Sequence, residues 1–167
     1  YKHSIKANTI GPKGFILQSK IMNPDGTEDN YANNEIEKAW KKWCRKEYCT
    51  MAGMFNFATV QKLVAEHLER DGEFVARIVK GINQKKNPFG VSLEIIEPDY
   101  LDETLNEVLY NGNTIVMGVE VDEWKKPVAF WFKKRNPVNE IMGIVQGVHE
   151  RVPAEDIVFV IDPEHTN

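Results

Sequence analysis

Two acidic clusters are the residues of this chain whose types and spacing could support catalysis. Asp71 and Glu73 flank Gly72, and Asp99 and Asp102 lie three residues apart in a predicted turn. Two carboxylates that converge within a few ångströms in a cleft can act as an acid and a base. Aspartates in turns also bind their own backbone, which explains the same residues without catalysis. Both interpretations are open at this level.

The sequence lacks the motifs that most often bind a metal or a nucleotide. His67-Leu68-Glu69 matches the start of the zinc-deaminase motif, but no Pro-Cys-x-x-Cys segment follows it. Gly11-Pro12-Lys13-Gly14 is not a Walker-type phosphate loop. His149 has no recognisable partner in the sequence. We therefore predict no catalytic residue, no cofactor and no metal ligand, and we predict a packed or half-buried His67.

Composition limits the class of protein. The chain has 167 residues and a net charge of −4, which argues against a dedicated nucleic-acid binder. It contains two cysteines, Cys44 and Cys49, which suits a reducing compartment. No apolar run reaches the roughly 20 residues that cross a bilayer, so we expect no contact with a membrane. The chain starts at Tyr1 without a signal peptide, and we expect it to be a fragment of a longer protein.

Two amphipathic helices are predicted in the first half of the chain. The first covers about residues 35–48, capped by Asn33 or Asn34, and its apolar stripe consists of Ile36, Ala39, Trp40, Trp43 and Cys44. The second covers about residues 57–71, from Asn56 as N-cap to Gly72 as the terminating residue. We expect Trp40 and Trp43 to fill a core or an interface, packing with Val64 and Leu68; the alternative is a platform on which bases stack.

After Gly72 the apolar period changes to two, which predicts strands. We place strands between about residues 73 and 161, namely at 74–80, 91–97, 113–121, 128–133, 141–148 and 157–161. Asn111-Gly112 is predicted as a hairpin turn, and Asp122 to Lys126 as the connection of two antiparallel strands.

The order of elements predicts an α+β fold, with two N-terminal amphipathic helices packed on a mainly antiparallel sheet. We expect an N-terminal arm over residues 1–33, with a short strand at Phe15 to Leu17, and an α+β domain over residues 34–167. Trp124 falls at the predicted tip of a charged turn. An exposed tryptophan there contributes little to a core and is a candidate for a contact between subunits.

Several phrases, in this order, resemble the lambda-type portal proteins of tailed bacteriophages. The resemblance extends from about residue 5 to residue 161, and its four main phrases are Glu35 to Trp43, Asp71-Gly72-Glu73, Leu93 to Leu101 and Gly118 to Phe130. One departure is clear. Where the family has an Asp-x-x-Gly-Arg-Pro turn, this chain has Asp122-Glu123-Trp124-Lys125-Lys126-Pro127.

The resemblance implies a virion structural protein and no enzyme. Such a protein forms a homo-oligomeric ring, a dodecamer in the full-length family, at one capsid vertex. DNA passes through the ring non-specifically during packaging and ejection, and terminase, capsid and head-tail connector proteins bind to it. The expected locations are the virion and, during assembly, the cytoplasm of the bacterial host, including one that carries a prophage. This segment would belong to the outward-facing wing. The alternative is a small α+β enzyme or ligand-binding domain that uses Asp71, Glu73, Asp99 or Asp102.

Overall fold

The computed structural model describes residues 10–11, 13–81, 87–134 and 149–161. Within these ranges the helices are α1 (Asn30–Trp43), α2 (Lys46–Cys49) and α3 (Phe57–Asp71). The strands are β1 (Glu73–Lys80), β2 (Val91–Ile96), β3 (Glu107–Val108), β4 (Thr114–Val116), β5 (Val119–Val121), β6 (Pro127–Lys133), β7 (His149–Pro153) and β8 (Ile157–Ile161). Helices precede strands, so the predicted α+β class is confirmed.

The strands form two sheets. One has the order β2-β1-β8, and the other has the order β3-β4-β5-β6-β7 with antiparallel neighbours throughout. By contact density the chain divides into two compact units. The first comprises Tyr1–Glu73, Ile78–Glu94 and Ile161–Asn167, and the second comprises Phe74–Arg77 and Ile95–Val160. The expected division into an arm over residues 1–33 and a domain over 34–167 stays a prediction.

Helix α1 begins earlier than its apolar stripe suggests. Asp29 is the N-cap, and its carboxylate accepts a hydrogen bond of 2.9 Å from the backbone N–H of Ala32. The expectation that Asn33 or Asn34 caps the helix is therefore wrong. Asn33 is buried inside α1, where its side-chain oxygen accepts from the N–H of Ile21 at 2.7 Å. That amide fastens the preceding segment to the helix.

Both ends of α3 agree with the prediction. The side chain of Asn56 accepts from the N–H of Thr59 at 2.9 Å, which satisfies one of the free donors of the first turn. Gly72 ends the helix in the left-handed conformation, with φ of 79°. A side chain at that backbone geometry would be strained, so glycine is the residue type suited to the C-cap.

The segment from Phe15 to Leu17 is not a strand, contrary to the expectation. Its hydrogen-bonding groups bind a side chain instead of a neighbouring strand. The side-chain oxygen of Gln61 accepts from the N–H of Phe15 at 2.7 Å, and the Gln61 amide nitrogen donates to the Phe15 carbonyl at 3.4 Å. Phe15 is therefore held beside helix α3, and the segment does not belong to a sheet.

The five-stranded sheet differs from the prediction, which contains neither β3 nor β7. The expected strand over residues 113–121 is a hairpin of β4 and β5, reversed at Met117 and Gly118, which both have positive φ. The Asn111-Gly112 turn and the connection from Asp122 to Lys126 are confirmed as links between antiparallel strands. The predicted strand at 141–148 lies outside the described residues.

The core of the second unit lies on one face of this sheet. Phe130 and Phe132 alternate on β6 and are each 5% exposed, and Val152 of the neighbouring β7 is opposite Phe130. Val75 and Leu101 complete the buried cluster. In the described part of the chain, no helix has the length and apolar character needed to cross a bilayer.

Candidate functional site

The carboxylate of Glu120 is fully buried in the second unit, so it needs protein groups to replace its hydration. Its side chain has 0% exposure. Arg151 donates to it from Nε at 2.7 Å and from Nη2 at 3.0 Å. Asn113 Nδ2 donates at 2.7 Å, and Trp131 Nε1 donates at 3.1 Å. A buried carboxylate is tolerated only when a cation and hydrogen-bond donors replace water, and these three residues do so.

The strand register brings these groups together. Glu120 of β5 is opposite Ala129 of β6, and Trp131 of β6 is opposite Arg151 of β7. Ala129 and Trp131 are two residues apart, so their side chains share a face of the sheet. The network therefore connects three adjacent strands, and a one-residue slip of any of them would separate the charges.

The electrostatic environment of Glu120 favours its ionised form. The Arg151 guanidinium, followed by the Asn113 and Trp131 donors, lowers the pKa of Glu120 to about 2, against the opposing effect of burial. Because a permanent cation is the main cause, the carboxylate stays charged at every physiological pH. It cannot exchange protons as an acid or a base near neutrality, so its role is structural.

Gly118 allows the sharp turn between β4 and β5, just before Glu120. Its φ is 78°, and a Cβ atom placed there would lie 2.8 Å from the backbone oxygen of Asp102. Its carbonyl accepts from the N–H of Trp131 at 2.8 Å. Only glycine satisfies both the positive φ and the close backbone approach.

Asp102 is the centre of a second polar cluster. Thr104 donates to it from Oγ1 at 2.6 Å and from its backbone N–H at 3.1 Å. His149 Nε2 lies 2.6 Å from the other carboxylate oxygen, Oδ2, and Lys133 Nζ lies 3.8 Å from Oδ1, the oxygen that Thr104 contacts. Chiefly the Thr104 hydroxyl, and then His149, lower the pKa of Asp102 to about 2.

This cluster contains an aspartate, a histidine and a hydroxyl, but their connections differ from those of a catalytic triad. In a triad the imidazole lies between the hydroxyl and the carboxylate and takes the hydroxyl proton. Here the Thr104 hydroxyl and the His149 imidazole both bind the carboxylate of Asp102 directly. The arrangement tethers β7 to the turn that follows Pro98–Tyr100, and it does not activate a nucleophile.

The other predicted acidic residues are accounted for by local contacts or exposure. Asp71 binds Arg70 at 2.6 Å and His67 at 3.0 Å on the last turn of α3. Arg70 is the first cause of its lowered pKa. Glu73 begins β1, and Asp99 is exposed in a short 3-10 turn. His67 is half-buried, as predicted.

Among residues 10–11, 13–81, 87–134 and 149–161, no three or more His, Cys, Asp or Glu side chains converge in a way that could hold a metal ion. Cys49 is buried, and burial raises the pKa of its thiol to about 12. The expectation of no cofactor and no metal for the whole chain stays a prediction.

Trp124 is 81% exposed at the turn between β5 and β6, where the sequence places an exposed tryptophan. Asp122 holds the turn, because its carboxylate oxygen accepts from the N–H groups of Trp124 and Lys126, each at 2.9 Å. Its own N–H donates to the Lys126 carbonyl at 3.0 Å. The side chain and the backbone of Asp122 therefore both hold the turn, and the indole is presented to solvent from it.

Two functional contacts had no usable signal in the sequence. Glu120 and Arg151 are 31 residues apart, and Asp102 and His149 are 47 residues apart. Neither pair has the fixed local spacing that a motif search detects. The sequence shows no partner for His149, and the structure places the carboxylate of Asp102 beside its imidazole.

Comparison with known proteins identifies the family. Residues 2–167 match the family described as phage portal protein, lambda family. The chain belongs to this family. It is also 38% identical over 159 residues to a curated relative, described as "Probable portal protein", from Halomonas phage phiHAP-1. That alignment covers 95% of this chain and 30% of the relative, so the chain spans about a third of the length of this portal protein.

The phrase from Gly118 to Phe130, one of the four that resemble the portal family, lies in the second unit and contains several of its polar contacts. Gly118 makes the tight approach to Asp102, Glu120 is the buried carboxylate and Asp122 holds the next turn. The departure in that turn has a backbone consequence. Lys125 in that turn has a φ of 61°. This lysine thus occupies a left-handed conformation that glycine adopts without strain.

Proposed function

We propose that this chain is part of a subunit of a phage portal ring, the channel at one capsid vertex through which DNA is packaged and ejected. The observation that carries the proposal is the match of residues 2–167 to the lambda portal family, together with the 38% identical relative. A segment that makes up about a third of such a protein contributes to a wing or another peripheral region of the ring. The channel itself is assigned to other parts of the full-length chain.

The internal chemistry of the second unit supports a structural role. Its two buried carboxylates, Glu120 and Asp102, are engaged by several donors each, and both have a pKa of about 2. Charged groups held in this way fix strand register and do not cycle protons at neutral pH. A sheet that presents exposed aromatic side chains at its hairpin tips, Trp124 among them, suits a component that must present the same surface to each neighbour.

The partners follow from the proposed role. They are other portal subunits in a homo-oligomeric ring, the capsid, the terminase and the head-tail connector, with the virion and the host cytoplasm as the locations. DNA would pass without specific contacts. The net charge of −4 supports this, because lysine and arginine contacts with phosphates would retain DNA.

Complementation tests the proposal directly. A phage with a disrupted portal gene is supplied with the full-length protein, and heads are examined for DNA content while the purified protein is examined for rings by electron microscopy. We expect closed rings and DNA-filled heads only when the protein is supplied. Filled heads without the protein, or a purified protein that never forms rings, would refute it.

An enzymatic role is the competing proposal, and the contact between Asp102 and His149 is the observation in its favour. A histidine oriented by a carboxylate is a common element of hydrolase sites. Purified full-length protein is assayed for ATPase, nuclease and phosphatase activity beside an Asp102→Asn variant. We expect background rates for both. Turnover in the wild type that the variant lacks would establish the enzyme instead.

A further inference from the structure

The first unit contains an open groove, which we call the aromatic groove, with a volume of about 480 Å³. Its apolar walls are Phe15, Ile16, Leu17, Trp40, Cys44, Phe57 and Ala58. A second cleft of about 370 Å³ shares Leu17 and Trp40 with it. The two clefts adjoin along these residues and form one apolar surface.

The groove has a defined shape because its aromatic rings support one another. The rings of Trp40 and Trp43 stack at 5.1 Å, and Phe57 meets Trp40 edge-on at 5.2 Å. On the opposite wall, Gln61 holds the backbone of Phe15 from both its N–H and its carbonyl. Side chains that are already ordered before binding lose little conformational entropy when an occupant binds.

The charged lining of the groove is mainly basic. Its exposed cations are Lys13, Lys41, Arg45 and Lys46, and its exposed anion is Glu47. An occupant with an apolar centre, an anion that can face these cations and a cation that can face Glu47 would therefore match this surface better than a uniformly apolar one.

The tip of the β5–β6 hairpin has that chemistry. Trp124 is flanked directly by Glu123 and Lys125, so one large aromatic side chain is bracketed by an anion and a cation. The hydrogen bonds of Asp122 hold all of them on a preformed turn. Tryptophan is the residue type most enriched at the energetic centre of protein interfaces.

We propose that the Trp124 tip of one copy of this chain docks in the aromatic groove of a second copy, with the indole against Trp40 and Phe57. Glu123 then faces Arg45 and Lys46, and Lys125 faces Glu47. This inference rests on the proposed function and names the contact between neighbouring subunits. Each copy carries both a tip and a groove, so the contact is heterologous and propagates from subunit to subunit until a ring closes.

A native thiol makes the contact testable. Cys44 lines the groove, whereas Cys49 is fully buried. In assembled rings of the full-length protein, Glu123→Cys places a second thiol on the tip while Trp124 is kept. A short bismaleimide linker adds one thiol at each end and needs no oxidant. Burial raises the pKa of Cys44, so the reaction is run at about pH 8.5, where more thiolate is present.

We expect a ladder of covalently linked subunits on denaturing gels. The ladder should disappear in Glu123→Cys/Cys44→Ser and in Glu123→Cys/Trp124→Ala. Tyr110→Cys is the matched control, since Tyr110 is fully exposed at the turn of the β3–β4 hairpin of the same sheet, and it should give no ladder that depends on Cys44.

The outcomes separate the two proposals. Rings that form normally but give no Cys44-dependent ladder would overturn the docking contact and leave the portal role intact. A crosslink confined to single polypeptides would mean that the tip reaches its own groove, and an equal ladder from Tyr110→Cys would mean that the reaction is non-specific; either result overturns the proposal. Failure of the unmodified protein to form any ring would instead refute the proposed function.

Discussion

Aromatic residues occupy two regions of this molecule in different ways. On β6, Phe130 and Phe132 are each 5% exposed and belong to the buried cluster of the second unit. On α1, Trp40 and Trp43 are only half-buried, although they stack on each other and contact Phe57. A regular apolar period therefore identifies the side of an element that avoids water, but it does not tell whether that side is covered within the same chain.

The reason for the difference lies in what adjoins each element. Strand β6 is paired on both edges, with β5 and with β7, so the alternation of its residues assigns Phe130 and Phe132 to one face. Helix α1 is bordered on its aromatic side by the irregular segment around Phe15 and Leu17, which leaves the groove open. Trp40 and Trp43 are therefore half-buried beside an open groove, and the expectation that they fill a core or an interface stays a prediction.

The largest predicted effect tests the covered region. Phe130→Ala removes a ring from the buried cluster and leaves a cavity, so the free energy of unfolding should fall by about 3–5 kcal/mol. Urea denaturation followed by circular dichroism measures the change. Phe15→Ala is the matched control, because Phe15 is 63% exposed and its loss should cost less than about 0.5 kcal/mol. Similar losses for the two variants would remove the distinction between the regions.

Acid should act mainly on the second unit, where the buried carboxylates lie. The folded-state pKa values of Glu120 and Asp102 are about 2, against ordinary values of 4.5 and 3.8. Because the folded pKa is the lower one, each ionised group stabilises the fold above its ordinary pKa, and that stability is lost as pH falls toward 2. Each contributes on the order of 2–3 kcal/mol at neutral pH.

Unfolding free energies between about pH 7 and pH 2 measure this dependence. Glu120→Gln should flatten the acid slope, and Asp102→Asn should flatten it independently. Asp71→Asn is the control in the first unit. Its pKa is also lowered, but its carboxylate lies at the surface, where solvent screens the pair with Arg70. A slope unchanged by all three substitutions would mean that other groups govern the acid response.

Trp40→Ala should have an intermediate effect. A half-buried tryptophan in an open groove leaves no closed cavity, so we expect a loss of about 1–2 kcal/mol, below the range for a fully buried ring. Thermal or urea unfolding provides the measurement, with Phe130→Ala as the upper reference. A loss above about 3 kcal/mol would show that the groove is closed in solution and would return Trp40 to the core.

Periodicity and turn chemistry predicted the class, the caps of α3, the hairpin connections and the exposure of Trp124. They failed where an interaction is not local. The separation of β4 from β5 depends on the approach of Gly118 to the backbone of Asp102, and the strand expected at Phe15 is replaced by contacts with Gln61. The pairing of Glu120 with Arg151 depends on register. Such contacts join residues that are far apart in the chain, so a short stretch of sequence does not contain both of them.

Lys125→Gly tests whether the backbone alone shapes the hairpin tip. Lys125 has φ of 61°, which costs a non-glycine residue about 1 kcal/mol. Replacing it with glycine should therefore raise the free energy of unfolding by roughly 0.5–1 kcal/mol. Lys126→Gly is the matched control in the same turn, since its φ is not positive and the change should be neutral or destabilising. Equal effects of both glycines would show that the strain at Lys125 is negligible.

Trp124→Ala should produce the smallest change in stability and a large change in assembly. The indole is 81% exposed, and the turn is held by Asp122, so the melting temperature of the full-length protein should stay nearly constant. If the tip contacts a neighbouring subunit, the fraction of rings in native mass spectrometry should fall. Tyr110→Ala, at another exposed tip of the same sheet, should leave rings intact. Normal rings from Trp124→Ala would remove this residue from the interface, and a collapsed melting temperature would place it in the core with Phe130.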